Sequence, residues 1–203
     1  MKIICIGRNY AEHAKELNNE IPEEPVFFLK PETALIPKNQ PFFIPDFSKD
    51  IHYEAELVIK ICRTGKYIDQ QFAHRYYNEI TVGIDFTARD VQQELKKKGL
   101  PWEKAKAFDW SAPVGMFVPI TELPDPSNIH FKLFKNQQLV QDGKSSQMIF
   151  NFDQIVSYVS QFITLKIGDL IFTGTPSGVG KVEKNDLLTA TLEGKEVLSL
   201  KIK

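Results

Sequence analysis

Short β-branched and apolar segments, cut apart by turn residues, constrain this chain's fold more than any other feature. Residues 53–62, 80–84, 114–118, 129–134, 170–173, 187–192 and 197–202 all read as strands. Turn formers lie between them: Pro124, Asp125 and Pro126, then Asp142 and Gly143, then Glu193 and Gly194. Glu193, Gly194 and Lys195 read as a hairpin turn. Helical periodicity is confined to a few places. Thr87 is the expected cap of a helix over 88–98, with Asp90 as capping-box partner and Gly99 and Pro101 ending it. Asn151 caps a second helix, which aligns Phe152, Ile155, Val156, Val159, Phe162 and Ile163 on one apolar face. Shorter helices fit after Asn9 and after Asp69. The expectation is an α+β fold, β-rich, without the regular strand–helix alternation of a doubly wound sheet. No repeat, low-complexity stretch or linker divides the chain, so 1–203 reads as one domain.

Composition narrows the function. Hydrophobic residues make up 42% and charged residues 25%, the balance of an ordinary soluble domain. The formal net charge is -1, which supplies no basic surface for nucleic acid. Lys96, Lys97 and Lys98 form the one basic run, and they read as cations favoured at a helix C-terminus. No apolar stretch approaches the ~18 residues of a membrane span. The apolar stretch before Arg8 is too short for a secretory signal, so the expected compartment is the cytoplasm. Cys5 and Cys62 read as reduced thiols in strands.

The chemistry concentrates in His52-Tyr53-Glu54-Ala55-Glu56. A strand alternates its side chains, so His52, Glu54 and Glu56 are expected on one face, the two carboxylates about 7 Å apart. On their own they read equally well as a solvated strand face. Asp85, at the end of an apolar strand, adds a third carboxylate where an acid is costly to bury without a partner. Three carboxylates make an oxygen-only site suited to Mg²⁺, Mn²⁺ or Ca²⁺. His52 is a candidate nitrogen ligand, though a histidine so placed is more often packed beside a site than in it. Arg89 and Gln92 share a helix face, suited to an anionic substrate or to a plain surface ion pair. His13 and Glu16 stand three apart, a spacing that lets a carboxylate orient an imidazole as general base and that is also common on plain exposed helices. Lys106, among aromatic residues, is a candidate oxyanion stabiliser or a solvent-seeking side chain. The loop Gly174-Thr175-Pro176-Ser177-Gly178-Val179-Gly180 fails both phosphate-binding glycine spacings. Its glycines permit close approach of backbone to a ligand, with Thr175 free to hydrogen-bond.

Taken together, these stretches resemble the fumarylacetoacetate hydrolase family, in its small acylpyruvase and oxaloacetate decarboxylase branch. The resemblance rests on Gly7-Arg8-Asn9-Tyr10-Ala11 with His13 and Glu16, on Phe28-Leu29-Lys30-Pro31, and on the His52 to Leu57 stretch. It continues through Asp85-Phe86-Thr87-Ala88-Arg89-Asp90, Lys97-Lys98-Gly99-Leu100-Pro101-Trp102 with Lys106, and the loop after Thr173. It implies a mixed β-sheet roll with few helices, a homodimer, and Mg²⁺ or Mn²⁺ on Glu54, Glu56 and Asp85. It implies a His13–Glu16 base dyad on a lid, Lys106 facing the reacting carbonyl, and Arg89, Gln92 and Thr175 holding the substrate. The implied activity is metal-dependent C–C hydrolysis of acylpyruvates, decarboxylation of oxaloacetate, or both, through a pyruvate enolate. An isomerase or hydratase of dienoic diacids is the second reading. A non-catalytic metal-binding protein is a distant third, because it has no use for His13, Glu16 and Lys106.

Overall fold

Strands dominate the structure, a computed structural model that describes residues 1–16, 20–38 and 40–203. In chain order they are β1 (Ile3–Gly7), β2 (Val26–Lys30), β3 (Ile51–Tyr53), β4 (Ala55–Ile61), β5 (Tyr77–Ile84), β6 (Thr87–Ala88) and β7 (Val118–Pro119). They continue with β8 (His130–Lys135), β9 (Gln138–Lys144), β10 (Leu170–Phe172), β11 (Gly180–Lys181), β12 (Leu187–Leu192) and β13 (Lys195–Lys201). The α-helices are α1 (Ala11–Glu16), α2 (Arg89–Lys97), α3 (Glu103–Lys106) and α4 (Phe152–Phe162). The expected β-rich α+β class is observed. Among the described residues, no helix is long and apolar enough to cross a membrane.

Three sheets organise the strands. A six-stranded sheet runs β2-β1-β10-β4-β5-β7, a three-stranded one β11-β3-β6, and a four-stranded one β13-β12-β8-β9. Only the β1–β10 pair of the large sheet is parallel. Both faces of that sheet are covered. Ile4, Ile6, Leu57, Ile59, Val82 and Ile84 face the main core, while Ile3, Cys5, Val58, Leu170 and Phe172 face a second cluster. Burial on both sides explains why these strands read as nearly continuous apolar runs.

The departures from expectation are local. Residues 53–62 do not form one strand: the chain leaves the small sheet after Tyr53, and β4 starts at Ala55 in the large one. Glu54 is the step between two sheets. The 114–118 strand shrinks to β7, because its N–H groups divide between Val82 and Val197 carbonyls instead of following one neighbour. Asp142 and Gly143 lie inside β9, not in a turn. The β8–β9 turn is made by Asn136 and Gln137, both at positive φ. Gly143 serves packing instead, since a Cβ there would lie 2.6 Å from the Phe131 ring. The Glu193–Gly194 hairpin turn forms as expected, again with both residues at positive φ.

Helix α2 starts one residue later than expected and without a Thr87 cap. Thr87 sits in β6, and Asp90 instead accepts hydrogen bonds from Ser48 Oγ (2.6 Å) and the Lys49 N–H (3.0 Å). Helix α4 has the expected Asn151 cap with a reciprocal Gln154, though Phe162 is mostly exposed. Cys5 is buried in β1, whereas Cys62 lies just past β4 and is half-buried; both are free thiols.

Candidate active site

Strand register gathers the acids. β4 pairs antiparallel with β5, Ala55 opposite Ile84 and Glu56 opposite Gly83. The Asp85 N–H then donates to the Glu54 carbonyl at 2.8 Å. Glu54, Glu56 and Asp85 are all buried, and they offer ligand oxygens within 4.8 Å of one another. The end of β10 closes the group from a third side, where the Gly174 N–H donates to Glu56 Oε2 at 2.7 Å. Gly174 has φ +101, and a Cβ there would lie 2.7 Å from Asn9 Cβ, so the approach requires glycine.

Three cations answer these carboxylates. Lys106 Nζ donates to Glu54 Oε2 at 2.8 Å and to Asp85 Oδ2 at 2.6 Å. Arg89 Nη2 donates to Glu54 Oε1 at 2.5 Å. Lys30, fully buried, has its Nζ 2.7 Å from Asp85 Oδ1. Its protons, however, are directed at the Ser111 carbonyl (3.0 Å), Ser111 Oγ (2.9 Å) and the Phe86 carbonyl (3.3 Å). Lys30 thus stands as a close ion-pair partner of Asp85 Oδ1 without a hydrogen bond aligned to that oxygen.

The cations are distributed unevenly. Burial would raise Glu54, but Lys106 and Arg89 outweigh it and hold the carboxyl far below its usual range. Burial would lower Lys106, and Asp85 and Glu54 reverse that, holding it above the usual lysine range. Glu56 is left exposed to its neighbours' charge. Burial, then Asp85, then Glu54 push it well above the usual carboxylate range, against the Gly174 N–H. The protein's own cations therefore satisfy two acids and leave the third repelled. An all-oxygen, buried donor set in that state suits a hard divalent cation, which would turn the mutual repulsion into shared attraction.

The expected substrate-handling residues surround this group. His13, Arg89, Gln92, Lys106 and Thr175 line one pocket with the three acids. His13 is buried, and its Nδ1 lies 3.1 Å from Glu16 Oε2. A carboxylate only accepts, so Nδ1 carries a proton, and in the neutral form of the ring Nε2 keeps a lone pair. Glu16 lies outside the lining and in turn accepts from the Gly178 N–H at 3.1 Å, which ties α1 to the glycine loop. Arg89 Nη1 donates to Gln92 Oε1 at 2.7 Å, while its buried Nε has no partner among the described residues. Thr175 Oγ1 accepts from Gln141 Nε2 at 2.8 Å, which leaves its own hydroxyl proton to donate elsewhere. His52 does not join the acids. It lies in β3, where its Nε2 meets Asp50 at 3.1 Å, and burial followed by the Arg89 charge lowers its pKa.

Several lining or supporting residues escaped the reading from sequence. Lys30 carried a signal, a lysine closing an apolar strand, but no role. Gln141 carried none: it fixes Thr175, donates to the Pro176 carbonyl at 3.0 Å and accepts from the Ala55 N–H at 2.9 Å. Lys96 was read as a helix-end charge; it is half-buried, lines the pocket and packs 5.5 Å from the Trp102 ring centre. Its signal was spacing, because Arg89, Gln92 and Lys96 recur on one helical face.

Fold and site together define a strand-rich enzyme with a buried carboxylate nest suited to a divalent cation and an imidazole–carboxylate pair beside it. The chain belongs to the fumarylacetoacetate hydrolase family, whose "Fumarylacetoacetate (FAA) hydrolase C-terminal" model matches residues 2–202. It is 46% identical over 201 residues to the mitochondrial oxaloacetate tautomerase of Mus musculus, covering 99% of this chain and 91% of that one. It is 43% identical over 194 residues to the mitochondrial oxaloacetate decarboxylase of Dictyostelium discoideum, covering 95% and 89%. Fumarylpyruvate hydrolase from Pseudomonas aeruginosa, solved in complex with Mn²⁺ and pyruvate, superposes with a TM-score of 0.93 at 36% identity, covering 100% of this chain and 89% of that one.

Proposed function

We propose that this enzyme acts on small 2-oxo acids with a divalent cation, Mg²⁺ or Mn²⁺, held by Glu54, Glu56 and Asp85. The buried trio, with Glu56 unsatisfied by the protein's own cations, is the observation that carries the reading. The relatives are named for oxaloacetate and fumarylpyruvate, which are both 2-oxo acids, and one was solved with Mn²⁺ and pyruvate. Bound there, the cation supplies Lewis acidity toward the oxygens of the 2-oxo acid.

The remaining work falls to the chain's side chains. Arg89, with its Nε unspent, and Thr175, with its hydroxyl proton unspent, hold substrate oxygens. Gln92 steadies Arg89. His13 Nε2 takes a proton, from water in acylpyruvate hydrolysis or from the C3 carbon in enol–keto interconversion. Glu16 holds the ring and stabilises the imidazolium formed. Lys106 offers its ammonium to negative charge developing on the reacting carbonyl. In oxaloacetate decarboxylation the same residues position the substrate and no water attacks. We take residues 1–203 as one catalytic domain, working as a homodimer in the cytoplasm.

The test is a 2-oxo acid panel with Mg²⁺, followed both by pyruvate release and by loss of the enol's ultraviolet absorbance. Acylpyruvate hydrolysis and oxaloacetate decarboxylation release pyruvate; tautomerisation, or isomerisation of a dienoic diacid, releases none. Absence of any metal-dependent change across the panel would overturn the proposal.

A further inference from the structure

With the divalent cation of the proposed function in place, the pocket holds more positive charge than the three acids and a single substrate carboxylate account for. Arg8, Arg89, Lys96 and Lys106 all line it, opposite three carboxylates. Arg89 and Lys106 are paired with Glu54 and Asp85. Arg8 and Lys96 form no ion pair among the described residues. Arg8 is the more informative of the two. It follows β1 with φ 59, a left-handed conformation that Gly or Asn adopts far more readily.

That conformation is enforced from the next residue. Asn9 is fully buried and donates to the carbonyls of Phe150 (2.9 Å) and Thr173 (2.7 Å), while its Oδ1 accepts from the Phe150 N–H (2.7 Å). The turn is thus clamped between β10 and the start of α4, and it presents a charged side chain to the pocket. The Arg8 Nε is buried and has no partner among the described residues. Lys96 approaches from α2, its stem on Trp102, and Trp102 is itself wedged edge-on against Phe28. Burial, then Arg8 and Arg89, push Lys96 below the usual lysine range, so these cations repel one another until an anion arrives.

We propose that Arg8 and Lys96 form a second carboxylate subsite, so that the enzyme selects 2-oxo diacids over 2-oxo monoacids. The inference rests on the function proposed above, in which Arg89 and Thr175 take the oxygens at the 2-oxo end. The distal carboxylate then lies across the pocket between the β1 turn and α2. Charge-assisted bonds of this kind are each worth about 10–100-fold in affinity. A monoanionic substrate would leave both cations buried without an answering charge.

The experiment compares two unreactive ligands by calorimetry on Mg²⁺-loaded protein: 2-oxoglutarate, and 5-methyl-2-oxohexanoate, in which an isopropyl group replaces the distal carboxylate. The native chain is expected to favour the diacid by about 100-fold or more. Arg8→Asn keeps a residue that tolerates positive φ, and Lys96→Met keeps the stem on Trp102; each is expected to cut that preference by about 10-fold or more. Circular dichroism monitors folding, and Lys96→Met alone decides the matter if Arg8→Asn does not fold. A native preference near unity, or a preference that survives Lys96→Met, overturns the subsite. If neither ligand binds the native protein, the 2-oxo acid reading itself fails, a result recognisably different from equal binding of both.

Discussion

The acid nest and the His13–Glu16 pair stand in one pocket but are held by different means. Each nest carboxylate is gripped by strand register and by at least one further partner. Glu54 is bound by Lys106 and Arg89, Asp85 by Lys106 and Lys30, and Glu56 by the Gly174 N–H. The dyad rides on the six-residue helix α1, and Glu16 anchors it through the Gly178 N–H. The nest is overdetermined and the dyad depends on few bonds. Charge is gathered where partners are many, and the imidazole proposed to transfer the proton sits on the element with fewer ties among the described residues.

Substitutions separate the two regions. The largest effect is expected in the nest: Glu56→Gln should lower turnover of the active 2-oxo acid by about 10³-fold, through loss of the cation's Lewis acidity. His13→Ala should cost about 10²-fold or more in turnover with Mn²⁺ affinity intact, as read by paramagnetic titration. An equal loss of cation affinity would erase the distinction between the two regions. Glu16→Gln should cost about 10-fold, because the ring keeps a hydrogen-bond partner and loses only the charge. Gly174→Ala probes rigidity, since a Cβ would meet Asn9 at positive φ. It should remove about 1–3 kcal/mol of stability, read as a lowered Tm.

The smallest effect concerns Lys96. Its folded-state pKa lies below the unfolded one, so its charge costs stability while it is protonated. That cost fades as pH rises through the folded value toward about 10.4, the unfolded value. Lys96→Met should therefore raise the Tm of ligand-free protein slightly near neutral pH, and the gain should shrink in alkali. A gain that grows with pH would contradict the electrostatic origin.

The same contrast governs what was legible in the sequence. Local signals worked where structure is local. The Asn151 cap of α4, the Gly99 stop of α2 and the Glu193–Gly194 turn all appear as read. Asp85 stood out because a carboxylate at the end of an apolar strand needs a reason to be there, and only with it do Glu54 and Glu56 read as more than a solvated strand face. Yet period-two alternation put His52 on their face, and it failed at Glu54, where the chain changes sheets. Such a step depends on which strands become neighbours, and no local pattern encodes that. Lys30, Gln141 and Arg8 were illegible as functional residues for the same reason. Their partners, Asp85, Thr175 and the pocket itself, are supplied by strand order and by loops distant in sequence.

The account rests on one hard ion gathered by three acids, and titration of chelator-treated protein with Mn²⁺, followed by electron paramagnetic resonance, tests it most directly. The expected result is one Mn²⁺ bound per native chain, with binding weakened about 100-fold or more in Glu56→Gln. Undiminished Mn²⁺ binding in Glu56→Gln would contradict it.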